Sequence, residues 1–418
     1  MKNLSITILL CFTALGLSAQ PNKSYTSTID TLFAIIKKLP SYKAQIKGEE
    51  IQRYQDLVNQ LKQERPLNHW DEFFTLSKLF IPLKDNHLFF SEMPRITNLE
   101  KFSDPAFVKQ YKASEAFKNL PKADTNLALL ENTLARKNMD SVEGIYYFHN
   151  DKIKMGLFRT AKRDSLVGVV LESKLPYWEP GHIVLVLKEF KLNHFRAYFG
   201  SQEYQYFGLL RNDKFMHGSL TETHWKKRTG KPDYVNIASD VPRYQFKTLS
   251  DKIQYLRLGS FSSDEDDLEV TAAFFDRVKD SITSKMLIVD LRNNGGGGYK
   301  AAAQFMKLLQ DYAQSGNKIY VLINNRTFSY AEQFSIRLRK SDNVIMLGET
   351  TNGTLAYGNN DGTREFIPGS EYMVYITNMY DYGNYVKYED SGFPTDVNLD
   401  PASNWIAQTM NYIKANNK

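Results

Sequence analysis

The chain has 418 residues, 42% of them hydrophobic, with a single cysteine and a formal net charge of +6. That length and apolar content exclude a disordered chain and imply two or three domains with sizeable cores. The basic excess is local, 15 Lys/Arg against 8 Asp/Glu between residues 151 and 231. Without arginine clusters, zinc-knuckle spacing or RNP-like aromatic repeats, it reads as a solvated surface and not as a nucleic-acid-binding face.

The chain opens with Met1-Lys2-Asn3, an apolar run from Leu4 to Gly16, and Leu17-Ser18-Ala19-Gln20. This pattern predicts a signal peptide over residues 1–19, cleaved after Ala19. The only cysteine, Cys11, lies inside it, and Leu10 before it does not suit a lipoprotein site. The mature chain is therefore expected to have no disulfide and no thiolate metal site. No later apolar stretch has spanning length, so the expectation is an exported protein, periplasmic or extracellular, with no stable membrane insertion after signal removal.

Residues 20–100 read as a helical region. Ile29, Leu32, Phe33 and Ile36 keep the spacing of a buried helix face, and Ile51, Tyr54, Leu57, Val58 and Leu61 repeat it. Pro40 and Pro66 mark breaks, and a third helix over Trp70 to Phe80 leads into Asp85-Asn86-His87, on a loop or strand edge. Residues 100–140 are mixed. From 142 to 231 short β segments alternate with charged or glycine-bearing turns, which predicts an antiparallel barrel or sandwich domain. From 245 to 418 strands and helices alternate, and Met286 to Val289 is apolar on both faces like a central parallel strand. The whole is a mixed α/β chain with a mainly parallel sheet in its last domain.

Two segments of that last domain carry chemistry. Asp290-Leu291-Arg292-Asn293-Asn294-Gly295-Gly296-Gly297-Gly298 follows one strand, and Thr327-Phe328-Ser329-Tyr330-Ala331-Glu332 follows the next. Ser329 with Glu332 is a capping-box pattern that satisfies orphan helix amides. A serine at a strand-to-helix turn is also exposed at the positive end of a helix, with the Tyr330 amide beside it. The two readings are compatible. The glycines make a tight turn, or let a carbonyl approach a backbone donor from Gly296 or Gly297. No Gly-Lys-Ser/Thr follows them, which argues against phosphate binding. The serine needs a base. His69, His149, His182, His194, His217 and His224 have no partners visible in the sequence, and no metal-ligand spacing is present, whereas His87 directly follows Asp85-Asn86.

Together with Gly348-Glu349-Thr350-Thr351-Asn352-Gly353, these motifs resemble the tail-specific, or C-terminal processing, serine peptidases, a family that includes the tricorn core and retinoid-binding relatives. The resemblance implies a crotonase/ClpP-like α/β peptidase core with a helical N-terminal region and an inserted β domain. It implies Ser329 as nucleophile and an oxyanion hole at the amides of Tyr330 and of Gly296 or Gly297. One branch of the family has a lysine base where this chain has Thr354. The tricorn type uses a histidine and a glutamate, and here His87 and Glu389, in Glu389-Asp390-Ser391-Gly392, stand in those places. His87 would act as base with a pKa near 6.5, and Glu389 would belong to the hydrogen-bond network. The acidic Glu389-Asp390 pair also reads as solvated charge. Asn86 replaces the tricorn serine before the histidine, and no peptide-binding PDZ module is evident.

The expected activity is hydrolysis of peptides or unfolded protein segments, with no metal or organic cofactor. Two other classes remain open. One is a weakly catalytic binding protein whose β domain, with Tyr177, Trp178, Tyr198, Tyr204 and Tyr206, holds a ligand. The other is an acyl-CoA enzyme on a crotonase-like core, which a signal peptide disfavours.

Overall fold

The computed structural model describes residues 23–148, 151–162, 164–228, 230 and 232–416. The signal-peptide expectation, Cys11 and His149 fall outside them. No helix among the described residues is long and apolar enough to cross a membrane. The chain divides into two compact units, one of residues 1–230 and 359–378, the other of residues 231–358 and 379–418.

The first unit begins with helices α1 (Lys23–Ile36), α2 (Pro40–Gln45), α3 (Glu49–Gln63) and α4 (His69–Ser77). The periodic residues Ile29, Leu32, Phe33 and Ile36 of α1, and Tyr54, Val58 and Leu61 of α3, are buried, whereas Leu57 is half-buried and Ile51, in the first turn of α3, is exposed against expectation. A short 3-10 turn, Lys78–Phe80, leads to the His87 loop and to strand β1 (Phe89–Glu92). Three short helices, α5 (Pro105–Lys112), α6 (Glu115–Lys118) and α7 (Leu127–Leu134), follow. Then come β2 (Gly144–Phe148), β3 (Ile153–Arg159), β4 (Ser165–Ser173), β5 (Ile183–Lys191), β6 (His194–Gly200), β7 (Phe207–Met216) and β8 (Ser219–Leu220).

Strands β2 to β8 pair antiparallel with their chain neighbours, and Lys226 bridges Ser219 of β8 to Tyr147 of β2. The circuit closes, which removes the free edges of these strands. From β7 the sheet also extends through β1 to two late strands, Tyr372–Tyr375 and Arg364–Phe366.

Two expected boundaries are corrected by these contacts. Residues 20–100 and 142–231 do not form separate domains, because Leu32, Phe73 and Phe80 share one continuous core with Leu157, Leu187 and Trp225. Residues 359–378, placed by sequence in the 245–418 core, belong to the first unit. Their strand pairs Tyr375 with Phe89 and buries Tyr372 and Val374 in the aromatic core. Apolar alternation marks a strand but does not name the sheet it joins.

His182, at the edge of β5, is fully buried between Phe117 and Trp178, and its Nδ1 accepts the Glu179 amide at 3.1 Å. Burial, assisted by the positive charge of Lys122, pushes its imidazole down to about 4. Between pH 4 and 6.5 the unfolded chain binds a proton that the folded one refuses, so acidification through that window destabilises the fold. Going from pH 7 to pH 5, the wild type should lose about 2 kcal/mol more stability than His182→Gln. Equal losses in urea unfolding would contradict the burial argument.

The second unit is an α/β layer structure. Strands β9 (Tyr244–Ser250), β10 (Ile253–Leu258), β11 (Met286–Asp290), β12 (Lys318–Ile323) and β13 (Val344–Gly348) lie side by side in chain order. The last four are parallel, β9 is an antiparallel edge, and Val397–Asn398 adds a parallel pairing beyond β13. Helices α8 (Glu265–Val278), α9 (Tyr299–Gln314) and α10 (Tyr330–Leu338) make the crossovers. Alternate strand residues separate the two faces. Leu287, Val289, Ile319 and Val321 pack with Phe274, Phe305 and Phe334 of these helices. Ile288, Tyr320 and Leu322 pack with Trp405 and Ile413 of α11 (Trp405–Asn416).

Candidate active site

In the second unit the loops after β10, β11, β12 and β13 meet at the carboxyl ends of the parallel strands, where open α/β sheets usually bind ligands. Beneath them lies a buried charge cluster. Asp290 ends β11 and accepts hydrogen bonds from the Arg292 guanidinium at 2.6 Å and the Tyr255 hydroxyl at 2.8 Å. Burial raises its carboxyl pKa, but Arg292 and then Arg257 outweigh that and hold it below the usual carboxylate range. Arg257 also donates to the Arg292 carbonyl, which fixes the start of the glycine turn.

Asn294 organises the turn itself. Its Nδ2 donates to the Leu258 carbonyl at 2.9 Å, and its Oδ1 accepts the Gly296 amide at 2.9 Å. The Phe328 amide donates to the Asn294 carbonyl at 3.0 Å, and the Thr327 hydroxyl donates to the Leu291 carbonyl at 3.0 Å. The glycine turn and the serine turn are thus tied together at two points. Gly296, at φ +83°, comes so close that a Cβ there would stand 2.7 Å from Ser329 Cβ and 2.9 Å from the Tyr330 nitrogen. Only glycine fits.

Ser329 has φ 56° and ψ −123°, outside the regions a residue with a side chain ordinarily occupies, and it directly precedes α10. Such a conformation costs roughly 1–3 kcal/mol and persists only where its surroundings over-determine it. Here they do. Its amide donates to the Thr354 carbonyl at 3.0 Å and to Glu332 Oε2 at 3.1 Å. Glu332 is fully buried, and its carboxylate also accepts from the Thr351 hydroxyl, the Gly353 amide and the Thr354 amide, at 2.6, 2.7 and 3.0 Å. The capping-box glutamate is therefore an anchor for two loops, a role that the Ser-x-x-Glu spacing alone did not reveal.

Exchanging this acceptor for an amide would set an NH₂ group against some of those donors. Glu332→Gln should lower stability by about 3 kcal/mol and disable the serine turn. A melting temperature within a degree of wild type would contradict the anchor role.

The structure separates the two candidate glycine donors. The Gly296 amide is engaged by Asn294. The Gly297 and Tyr330 amides have no acceptor among the described residues. Gly297 lies at φ +125°, held by its bridge to Phe261, and Tyr330 is the first residue of α10, where the positive end of the helix dipole lies.

The other residues singled out by sequence are placed as follows. Thr354 is buried, and its hydroxyl donates to Asn352 Oδ1 at 2.7 Å, while its carbonyl supports Ser329. Glu389 is buried at 2% exposure, unlike a solvated carboxylate, and accepts the Leu355 and Ala356 amides at 3.0 Å each. Gly353 and Gly392, both at positive φ, allow the loops carrying Thr354 and Glu389 to touch. The second unit thus joins Ser329, Tyr330, Gly296, Gly297, Thr354 and Glu389.

His87 and Asn86 belong to the first unit. The His87 loop is braced by Arg211 of β7, a buried guanidinium that donates to the carbonyls of Phe80 and Leu83 and to Asn86 Oδ1. Its sequence context gave no signal, because an arginine inside a β segment reads as surface charge. Burial pushes the half-buried His87 imidazole down to about 4, opposed by the negative charge of Asp85. The value near 6.5 expected from sequence does not survive this environment. His87 is neutral at pH 7 and able to accept a proton, though it is a weaker base than a free imidazole.

No family model and no curated protein matches this chain. Several solved structures can be superposed on it. Mature CPAF shares 10% identity, with 94% of this chain and 96% of that one covered and a TM-score of 0.42. The photosystem II D1 C-terminal processing protease shares 14% identity over 91% and 94%, with a TM-score of 0.39. A lipoprotein from Streptococcus agalactiae shares 16% identity over 42% and 71%, with a TM-score of 0.30. At these scores the superpositions assign no residue a role.

Proposed function

We propose that the chain is an exported serine endopeptidase that hydrolyses peptides or unfolded protein segments through a Ser329 acyl-enzyme. The observation that carries this reading is Ser329 itself, locked in a strained backbone conformation between a glycine turn and the start of α10, with the Gly297 and Tyr330 amides lacking acceptors among the described residues. A serine serving only as a helix cap has no need of that strain, nor of glycine backbone beside its Cβ. It is the arrangement of a nucleophile elbow, reached on another scaffold.

In the proposed reaction His87 accepts the Ser329 proton as Oγ attacks the scissile carbonyl. The developing oxyanion takes hydrogen bonds from the Gly297 and Tyr330 amides. Collapse breaks the C–N bond, and the imidazolium protonates the leaving amine. Water, deprotonated by the same imidazole, then releases the acyl group and restores Ser329. Glu389 and Thr354 hold the loop behind the serine and take no part in bond making. No step calls for a metal or an organic cofactor.

The low basicity of His87 favours one alternative, a weakly catalytic binding protein on the same scaffold. Digestion of an unfolded protein such as reduced, carboxymethylated casein separates the two readings. New peptides from the wild type and none from Ser329→Ala support the peptidase. An unchanged substrate favours the binding protein.

A further inference from the structure

We infer that Thr377 and Asp85 form a positioning relay behind His87, carried on the hairpin that leaves the second unit; this rests on the proposed role of His87 as the base. Asp85 is fully buried two residues before His87, and a buried carboxylate requires donors. One is the Leu88 amide, at 3.2 Å, which ties the carboxylate to the far side of the histidine. The other is the Thr377 hydroxyl, at 2.5 Å, from a residue nearly 300 positions away. Thr377 is itself buried, at 1% exposure.

Chain connectivity gives this contact its interest. Residues 359–378 leave the second unit after Gly358 and return to it at Met379. Thr354, whose carbonyl supports Ser329, lies five residues before that excursion, and Glu389 lies eleven after it. Within the first unit the excursion pairs with β1, the strand that follows His87, in the register Phe89 to Tyr375. The same short hairpin is therefore continuous with the loops behind the serine and bonded to the loop that presents the histidine.

Asp85 is the negative charge that acts on His87, and Arg211 is the cation beside the same loop, held by the Phe80 and Leu83 carbonyls and Asn86. A hydroxyl donor holds the Asp85 carboxylate in place. There it steadies the imidazolium that forms when His87 accepts a proton.

The test is the titration of the His87 ring by NMR in the full mature chain, compared among wild type, Asp85→Asn, Thr377→Val and Thr377→Ser. Asp85→Asn should lower the His87 midpoint by roughly one pH unit. Thr377→Val should move it in the same direction by less, and Thr377→Ser should restore the wild-type value. Labelling of Ser329 by a fluorophosphonate at pH 7 should slow roughly tenfold in Thr377→Val and recover in Thr377→Ser. A Thr377→Val protein that titrates and labels like wild type would overturn the relay while leaving the peptidase reading intact. If wild type itself does not label, that reading fails, and the ring titration still decides the relay.

Discussion

Ser329→Ala is expected to abolish cleavage of an unfolded substrate, and His87→Ala to come close to it, each with a loss on the order of 10⁴ to 10⁶ in turnover. The two losses should not add, because nucleophile and base act as one unit. The wild-type rate should hold from neutral pH downward and fall as pH drops through about 4, where the His87 imidazole takes its proton. A midpoint near 6.5 would mean that burial does not govern this ring. Ser329→Gly should be inactive yet more stable than wild type by about 1 kcal/mol, since glycine accepts a positive φ without strain. Stability gained as activity disappears is the signature of strain held for function.

Gly296→Ala is the second large effect. The added methyl would stand 2.7 Å from Ser329 Cβ and 2.8 Å from the Phe328 carbonyl, at a φ that alanine tolerates poorly. The serine turn would have to move, and with it the Tyr330 amide. Displacing one oxyanion donor costs about a hundred- to a thousandfold in turnover. The substitution should leave the protein folded, because the clash is confined to the serine turn at Phe328, Ser329 and Tyr330 and does not involve the strand residues of the α/β core. Gly297→Ala should be harsher, with its methyl 1.8 Å from the Phe261 carbonyl oxygen. Labelling rates normalised to the folded fraction make the distinction. A Gly296→Ala protein with near-normal activity would reduce the glycine run to a tight turn.

Much of this architecture is legible in the sequence. The helix faces of α1 and α3 show in their periodicity, the parallel strands β11 and β12 in their unbroken apolar runs, and the serine and glycine turns in their composition. What is not legible depends on long-range partners. Nothing in Arg364 to Tyr375 reveals that these strands extend the sheet of β1 and not that of β13, because a half-buried strand carries the same alternation in either sheet. Nothing in Ser-x-x-Glu distinguishes a simple cap from the four-bond anchor at Glu332, since three of its donors come from the loop at residues 351–354. The engagement of the Gly296 amide depends on Asn294 Oδ1, a side chain two positions back, and the depressed basicity of His87 on burial that no local motif encodes.

The central claim is an activated serine, and the most direct measurement is intact-mass analysis of the purified mature protein after exposure to a fluorophosphonate at neutral pH. The account predicts a single adduct, mapped to Ser329, absent from Ser329→Ala and strongly slowed in His87→Ala. A folded wild-type protein that takes up no label, or that labels equally well without His87, would contradict it.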